Sequence, residues 1–337
     1  MADRAVVLAI DGNSLVHRSY HAQAHTGQDS WAVRGLLTQL VAAVDRVRPV
    51  AVVVGFDDPL RSCRRERWPS YKANRGEKLE TLVEQLDQAA AAMRELGVAV
   101  VVPDGYEADD VLASTAATAR RAGARTVVMT SDRDAFALID DSTHVLRIIN
   151  GGVEASPTMT PERLVLLLGV RPEQYRDFAA LRGDPSDNLP GVRGIGPRTA
   201  ARLLSEFGTA IAAFDDLDAV RSRVGAGVAA KLGQPESRAA WELNCEVMAM
   251  RSDLDIGLDL RSGPGVLPLA APIVSAVFHA HRLTWSAGQA VRVLAEVDPG
   301  EVGPVYVESV PVHPWRPART LPSLAPRVPA QEQLSLF

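Results

Sequence analysis

Residues 4–12 read Arg-Ala-Val-Val-Leu-Ala-Ile-Asp-Gly, a short apolar run that ends in an acid and a glycine. A run of this length and composition is typical of a buried strand. Four later runs have the same form, at 49–57, 98–103, 124–132 and 143–149. Helical patterns lie between the runs, at about 32–46, 77–96, 108–121 and 133–139. Strands that alternate with helices predict an α/β fold, in which a mostly parallel sheet has helices on both faces.

The second part of the chain has a different pattern. Beyond about Pro161 the strand-like runs disappear, and helical patterns follow at about 163–168, 172–181, 198–206, 226–232, 238–249, 273–281 and 285–294. From Gly303 onward, prolines recur too often for a regular helix. These shifts predict an α/β domain at 1–170 with a basic segment at about 60–78, a helical domain at 171–298 and a proline-rich tail at 299–337.

Length and composition exclude several classes of protein. A chain of 337 residues, of which 47% are apolar, is long enough for two domains with buried cores. No apolar stretch approaches the roughly 20 residues of a membrane span, and the first residues do not have the pattern of a signal peptide. Cys63 and Cys245 are the only cysteines, which excludes a disulfide scaffold and a cysteine-rich zinc site. We therefore expect a cytoplasmic protein that does not bind membranes.

Acidic residues follow four of the predicted strands, and two more lie at the start of the helical domain. The nine are Asp11, Asp57, Glu107, Asp109, Asp110, Asp132, Asp134, Asp184 and Asp187. Because the carboxyl ends of parallel strands meet at one edge of a sheet, we expect these acids to converge, and their mutual repulsion then requires cations. An oxygen-only donor set suits Mg²⁺ or Mn²⁺, and so many acids imply two or more ions, which suits in-line displacement at phosphorus. The competing interpretation is that each Asp caps a helix or forms a turn.

The net charge of −5 at first argues against a protein that binds nucleic acid. If the nine acids bind metal ions, however, taking their nine negative charges from −5 leaves the rest of the molecule with a net charge of +4, which no longer disfavours a polyanionic substrate. Between residues 61 and 75, one acid, Glu66, stands among six basic residues: Arg61, Arg64, Arg65, Arg67, Lys72 and Arg75. Trp68 and Tyr71 are interleaved with them. Basic groups neutralise phosphates and aromatic faces stack on unpaired bases, so this basic segment predicts a nucleic-acid contact above the acids. A solvated, charged helix is the alternative.

A glycine-rich turn is the second candidate for a nucleic-acid contact. Residues 191–200 read Gly-Val-Arg-Gly-Ile-Gly-Pro-Arg-Thr-Ala. Glycines let a phosphate backbone approach closely, and Pro197 suits the first turn of a helix with free N–H groups. Gly191, Gly194, Gly196 and Arg198 are therefore expected to hold duplex DNA without reading its sequence. The alternative is a helix-turn-helix bend with a purely structural role.

In combination, these motifs resemble those of the 5′ nuclease superfamily, which includes flap endonucleases and the 5′→3′ exonuclease domain of bacterial DNA polymerase I. The similarity extends over about residues 5–294. Residues 64–75 resemble the arch of the family, and residues 183–208 its helix-three-turn-helix. Five acidic motifs carry the resemblance: Ile10-Asp11-Gly12-Asn13-Ser14, Gly55-Phe56-Asp57, Glu107-Ala108-Asp109-Asp110, Ser131-Asp132-Arg133-Asp134 and Gly183-Asp184-Pro185-Ser186-Asp187-Asn188. The resemblance implies a PIN-like nuclease core joined to a helical duplex-binding domain.

The resemblance also implies roles for individual residues. All nine acids would hold two or more divalent ions, either Mg²⁺ or Mn²⁺. Lys72 would be catalytic by offsetting charge on the scissile phosphate, and Arg75 would orient that phosphate. Arg64 and Tyr71 would contact DNA, with Tyr71 stacked on a base at the unpaired junction. A potassium ion is implied at the glycine turn.

The end of the tail carries a separate signal. Gln333, Leu334, Leu336 and Phe337 resemble the short peptide by which bacterial replication proteins dock on the sliding clamp. A proline-rich tether with apolar residues at its tip suits such docking, because the tether gives reach and the apolar side chains fill a pocket. A tail that packs on its own domain is the alternative. Since no polymerase domain follows, we expect a stand-alone, monomeric nuclease.

Together these inferences predict a divalent-metal-dependent 5′→3′ exonuclease and flap endonuclease. Its substrates would be DNA with 5′ flaps, nicks or ends, and RNA–DNA junctions at primers, in replication and repair. Two other functions stay open. One is an RNA-directed nuclease of the PIN type, and the other is a structure-specific DNA-binding protein with weak or no catalysis.

Overall fold

A six-stranded sheet lies at the centre of the first half of the chain. In the computed structural model, which describes residues 4–23 and 30–301, the strand order is β3-β2-β1-β4-β5-β6. Every neighbouring pair is parallel except β5 with β6. The strands are β1 (Val6–Asp11), β2 (Ala51–Gly55), β3 (Ala99–Val101), β4 (Arg125–Thr130), β5 (Thr143–Arg147) and β6 (Thr158–Met159). The predicted, mostly parallel sheet is therefore confirmed.

Helices cover both faces of this sheet, as predicted. On one face lie α1 (Gly12–Gln23), α2 (Trp31–Val47) and α4 (Glu80–Glu95), and on the other lies α5 (Ala108–Arg121). The side chains of each strand alternate between the two faces. In β1, for example, Leu8 and Ile10 are buried against α2, whereas Val7 is buried against α5.

Helix α1 was not among the predicted helices, and its start is fixed by a glycine. The helix begins at the residue after β1, so the chain turns directly from strand to helix. A Cβ atom on Gly12 would lie 2.5 Å from the ring of Phe56, so any other residue at this position would have to displace the ring. The apolar face of α1 consists of Leu15, Val16 and Tyr20, too few apolar positions to stand out among its polar residues.

The second half of the chain is mainly helical. Its helices are α6 (Gly152–Ala155), α7 (Pro161–Leu168), α8 (Tyr175–Arg182), α9 (Pro197–Phe207), α10 (Ala210–Asp215), α11 (Leu217–Arg223), α12 (Ala226–Leu232) and α13 (Pro235–Val247). All of them except α6 share a core with the α5 face of the sheet, in which Phe178 and Leu204 join Val128 of β4. Val153 of α6 packs in the core on the α2 face. Two-residue strands, β7 (Gly183–Asp184) and β8 (Leu189–Pro190), form a small antiparallel pair that no sequence pattern predicted.

The last two helices correct one domain assignment. The sequence placed 273–281 and 285–294 in the helical domain, but α14 (Ala271–Ala280) and α15 (Thr284–Ala290) pack on the face of the sheet that carries α2. Phe278 and Leu294 are fully buried there, because they complete the apolar surface between α2 and α4. Among the described residues, no helix has the length and apolar character needed to cross a membrane.

Candidate metal centre and nucleic-acid interface

Acidic side chains from separate strands line one cleft at the carboxyl edge of the sheet. The cleft has a volume of about 1560 Å³. Asp11 ends β1 and Asp132 follows β4, while Asp57 follows β2 and faces Glu107 and Asp109 at the start of α5. The chain leaves β1 toward β2 on one side and reaches β4 on the other. This is the switch point at which open parallel sheets bind their ligands.

Three further acids extend this group toward the helical half of the chain. Asp134 and Asp187 line a small pocket next to the cleft, together with Glu107 and Asp109. Asp184 lies close enough that its charge acts on Asp134 and Asp187. Eight of the nine predicted acids therefore form one group, called the acid cluster below: Asp11, Asp57, Glu107, Asp109, Asp132, Asp134, Asp184 and Asp187.

Short polar side chains hold the floor of the cleft in place. Asn13 donates from Nδ2 to Oδ2 of Asp57 over 2.7 Å and accepts the Asp57 backbone N–H. Thr130 donates from Oγ1 to Oδ2 of Asp11 over 2.7 Å, and Ser14 donates its backbone N–H to Oδ1 of the same Asp. Sequence reasoning missed these supporting roles. Asn13 and Ser14 stand inside the first acidic motif, but nothing in the pattern identifies Thr130.

The electrostatics of the cluster are unfavourable to several negative charges at once. Burial and, to a smaller extent, the charge of Asp57 raise the pKa of Asp11 to about 6. Burial also raises the pKa of Asp134 to about 7, with Asp132 and Asp184 adding repulsion. The pKa of Asp109 is well above its ordinary value, because of burial and the charges of Asp11 and Asp132. Such a group is stabilised by cations.

The donor set fits hard divalent cations, although the side chains do not yet converge on a single point. Among the residues that the structure describes, no three His, Cys, Asp or Glu side chains are arranged to hold one ion together. Three carboxylates of the acid cluster are instead hydrogen-bonded to protein groups: Asp57 to Asn13, Asp11 to Thr130 and Glu107 to Lys72. One oxygen, Oδ1 of Asp134, is buried with no hydrogen-bond partner in the described part of the chain. Desolvated, mutually repelling carboxylate oxygens are the ligands that Mg²⁺ and Mn²⁺ select.

The ninth acid, Asp110, does not belong to the cluster, which corrects the sequence prediction. Its side chain is fully buried and pairs with Arg64, whose two terminal nitrogens each lie 2.7 Å from a different Asp110 oxygen. The correction extends to Arg64, which was expected to contact DNA. Only 11% of the Arg64 side chain is exposed, so its guanidinium is not available to a phosphate in this structure.

Tyr71 is also placed differently from the expectation. The residue is only 4% exposed, and its hydroxyl donates to Oε2 of Glu107 over 3.0 Å, so its ring is not free to stack on a base. Lys72 extends over the Tyr71 ring and donates from Nζ to Oε1 of Glu107 over 3.0 Å. Burial alone would lower the pKa of Lys72, but the charges of Glu107 and Asp187 outweigh it, and the pKa is raised. Lys72 therefore carries a positive charge at the edge of the cleft.

The end of the basic segment is fastened to the loop between β7 and β8. Lys72 has a φ of +55° and donates its backbone N–H to the carbonyl of Asp187 over 2.9 Å. Arg75 forms an ion pair with the Asp187 carboxylate, and Asn74 donates to the carbonyl of Pro185. Lys72 and Arg75 thus lie directly beside the acid cluster, as the sequence predicted for their location.

The glycine turn precedes α9, and its glycines differ in surroundings. Gly191 packs on the backbone of Arg182, 2.3 Å from where its Cβ would be, so its small size is required by the fold rather than by a ligand. Gly196 has open space around it and lies just before the exposed Pro197 and Arg198 at the start of α9. Gly194 has a φ of +78°, and its carbonyl accepts a hydrogen bond from Nζ of Lys231 over 2.9 Å.

The glycine turn therefore presents an exposed helix start with a nearby lysine. Lys231 lies in the last turn of α12 and was not singled out by sequence reasoning, because a lone Lys in the last turn of a helix is common. The predicted clamp-binding residues Gln333, Leu334, Leu336 and Phe337 lie outside the described residues.

Comparison with known proteins matches two family models. The 5′-3′ exonuclease N-terminal resolvase-like domain matches residues 6–166, and the 5′-3′ exonuclease C-terminal SAM fold matches residues 170–265. DNA polymerase I of Mycobacterium tuberculosis is 39% identical over 238 residues, which cover 68% of this chain and 26% of the polymerase. DNA polymerase I of Thermus aquaticus is 35% identical over 257 residues, covering 75% of this chain and 29% of that protein. The chain therefore corresponds to between a quarter and a third of the length of these relatives.

Solved structures show the same fold. The T5 5′-exonuclease with bound zinc superposes with a TM-score of 0.61 at 18% identity, covering 73% of this chain and 90% of that one. The catalytic core of Rad2 in complex with DNA substrate superposes with a TM-score of 0.55 at 15% identity, covering 86% and 91%. Because the two family models together match most of the described chain, this protein belongs to the 5′-3′ exonuclease family of nucleases.

Proposed function

We propose that this protein is a divalent-metal-dependent 5′→3′ exonuclease and 5′-flap endonuclease that acts on DNA during replication and repair. The observation that carries the proposal is the position of Lys72 and Arg75. Both lie beside a cleft whose floor consists of mutually repelling carboxylates. Negative charge on the floor and positive charge at the edge suit a phosphodiester held between bound cations and the basic segment.

The acid cluster would hold the ions in two groups. Asp11, Asp57, Glu107 and Asp109 stand on the β1 and β2 side, and Asp134, Asp184 and Asp187 stand near the helical half, with Asp132 between them. Binding requires some carboxylates to exchange their present protein partners for an ion. Bound Mg²⁺ or Mn²⁺ supplies Lewis-acid activation of water and neutralises charge at phosphorus.

The residues of the chain would position the substrate. Lys72 would move its ammonium from Glu107 to a non-bridging oxygen of the scissile phosphate, where negative charge grows in the transition state. Arg75, half exposed and paired with Asp187, would hold that phosphate in orientation. The exposed start of α9 would bind the backbone of the adjoining duplex, which fixes its distance from the cleft.

The glycine turn would hold this duplex with its own lysine. Lys231 Nζ donates to the Gly194 carbonyl over 2.9 Å. We propose that this ammonium group, rather than the expected potassium ion, supplies the positive charge at the turn.

The test is cleavage of a labelled 5′-flap DNA, its RNA counterpart and a blunt duplex, each with Mg²⁺ and with EDTA. We expect cleavage of the DNA flap near its junction, with release of 5′ products, and none in EDTA. A preference for the RNA flap would favour an RNA-directed nuclease. Binding of flap DNA without cleavage in Mg²⁺ or Mn²⁺ would favour a non-catalytic DNA-binding protein. Cleavage that survives chelation would contradict the proposal.

We further propose that the tail residues Gln333, Leu334, Leu336 and Phe337 dock on a bacterial sliding clamp. The support is the sequence itself, in which apolar side chains follow a proline-rich stretch. Deletion of residues 333–337 should abolish co-elution with the clamp and leave cleavage of naked flap DNA unchanged. Undiminished co-elution after the deletion would refute this proposal.

A further inference from the structure

Arg64 is the centre of a buried junction between three separate parts of the chain. It belongs to the short helix α3 (Cys63–Arg67) in the basic segment. Its guanidinium forks onto both oxygens of Asp110 in α5, at 2.7 Å each. The same group donates to the carbonyls of Val247, over 3.1 Å, and Ala249, over 2.9 Å, where α13 ends. One side chain thus joins the basic segment, the α/β half and the helical half.

The partner, Asp110, has no capacity left for a metal ion. Besides the two contacts with Arg64, its Oδ2 accepts the backbone N–H of Glu107 over 3.0 Å, and its Oδ1 accepts that of Arg251 over 2.7 Å. Each oxygen therefore accepts two hydrogen bonds, and the whole residue is shielded from solvent. An ion could bind Asp110 only by displacing Arg64, and the buried guanidinium would then have lost its charged partner.

The junction also reaches the acid cluster. Arg64 donates from Nη1 to Oε2 of Glu107 over 3.2 Å, the same oxygen that accepts the Tyr71 hydroxyl. The other oxygen of Glu107 accepts Nζ of Lys72. Arg64 and Tyr71 therefore hold one oxygen of Glu107 on the buried side, and Lys72 contacts the other oxygen on the side of the cleft.

We propose that Arg64 and Asp110 are positioning residues, which hold Glu107 and Lys72 in register with the duplex-binding helical half. They touch neither the substrate nor a metal ion. The pair acts on the reaction through Glu107, and this part of the inference rests on the proposed nuclease function.

The first test separates a positioning pair from a metal ligand by the sign of a stability change. In EDTA, Asp110→Asn should lower the urea midpoint strongly, because the buried guanidinium loses its charged partner. The matched control is Asp109→Asn, one residue away, which should raise the midpoint or leave it unchanged by removing repulsion from Asp11 and Asp132. If Asp110→Asn also stabilises the protein in EDTA, Asp110 is a repelling member of the cluster and the proposal is overturned.

A double-substitution cycle tests the coupling. The variant Arg64→Met/Asp110→Leu replaces the pair by apolar groups and should be far more stable than the sum of the single changes predicts. Additive effects of the two single changes would overturn the pairing. This measurement needs no activity, so it stands even if the flap-cleavage assay of the wild type fails.

The second test measures positioning. Arg64→Lys keeps the charge but cannot reproduce the planar fork, so Glu107 and Lys72 lose their register. We expect the single-turnover rate on flap DNA to fall at least about tenfold while the dissociation constant changes by less than about threefold, since displacement of catalytic groups affects the chemical step most. Arg238→Lys, which alters an exposed pair with Asp215 at 2.7 Å, is the control and should change neither value. An unchanged rate for Arg64→Lys, measured well below its unfolding midpoint, would show that the pair is merely structural.

Discussion

The contact between Lys72 and Glu107 leads to a prediction about the chemical step. Only 16% of the Lys72 side chain is exposed, and its Nζ lies 3.0 Å from Oε1 of Glu107, at the edge of the cleft. Lys72→Met preserves the length of the side chain and removes its charge. The variant therefore loses one preorganised donor to the scissile phosphate while the cleft keeps its shape.

The size of the effect follows from the burial of this donor. Removing one donor of this kind typically slows the chemical step about 10²–10³-fold, which corresponds to about 2.7–4 kcal/mol. Flap binding depends on many phosphate contacts, and losing one of them reduces the salt dependence of binding by about one counterion. The expected result is a large fall in the single-turnover rate with a small change in the dissociation constant.

Rapid-quench single-turnover cleavage of a labelled 5′ flap, together with anisotropy in EDTA, separates these two quantities. Arg65→Met is the matched control, because Arg65 lines the same cleft but is exposed, whereas Lys72 is mostly buried against Glu107. It should weaken binding slightly and change the rate far less. Normal turnover with greatly weakened binding in Lys72→Met, or equal rates in the two variants, would refute the role given to Lys72.

Three further predictions concern stability and duplex binding. Gly12→Ala should lower the free energy of unfolding by about 1–3 kcal/mol in urea titrations, since its Cβ would lie 2.5 Å from the Phe56 ring. In EDTA, Asp11 and Asp134 should contribute a fall in the free energy of unfolding as pH rises from about 4 to 7, because the folded protein holds their pKa values at about 6 and about 7, above the ordinary value of 3.8. The buried His17, whose pKa burial lowers to about 4, contributes in the opposite direction whether or not Mg²⁺ is bound. Flap affinity should be equal in NaCl and KCl, and Lys231→Met should weaken it.

Each of these has a control and a contrary result. Gly76 has no atoms within 4 Å of its Cβ position, so Gly76→Ala should have little effect, and equal losses for both glycines would contradict the packing argument. Relative to EDTA, saturating Mg²⁺ should stabilise the protein increasingly as pH rises from about 4 to 7, and an identical pH dependence in EDTA and in Mg²⁺ would show that the cluster is not repulsive. A clear preference for KCl in the wild type would show that Lys231 does not replace a potassium ion.

The position of the acid cluster was predictable from the sequence. Val-rich runs that end in acids define the strands, and a parallel sheet brings the ends of β1, β2 and β4 together whatever the loops do. That rule places Asp11, Asp57 and Asp132 without knowledge of any side-chain contact. The basic segment begins soon after Asp57, which predicts that it lies beside these acids.

The pairing of Arg64 was not predictable in the same way. An Arg in a basic segment binds a phosphate if it is exposed, or a buried carboxylate if another element packs over it. The end of α13, about 180 residues further along the chain, packs over Arg64. Asp110 follows Asp109 by one residue, so spacing alone cannot separate the two. On helix α5 consecutive residues point about 100° apart, which turns Asp109 toward the cleft and Asp110 toward Arg64.

The sequence does not distinguish the separate roles of the glycines in the turn at 191–196. The turn at 191–196 was assigned to phosphate binding as a unit, yet Gly191 is required because the backbone of Arg182 lies against it. A glycine can be required because another backbone segment packs against it or because a ligand must approach it, and the sequence looks the same in both cases. Only the neighbouring strand pair β7–β8 shows which reason applies to Gly191.

The proposed function depends on the acid cluster holding divalent metal ions. Anomalous diffraction from a crystal soaked in Mn²⁺ shows whether it does. We expect at least two manganese peaks in the cleft, bound by members of the acid cluster, with Arg64 still paired to Asp110. No peak in the cleft at saturating Mn²⁺, or a peak on Asp110 with Arg64 displaced, would contradict this expectation.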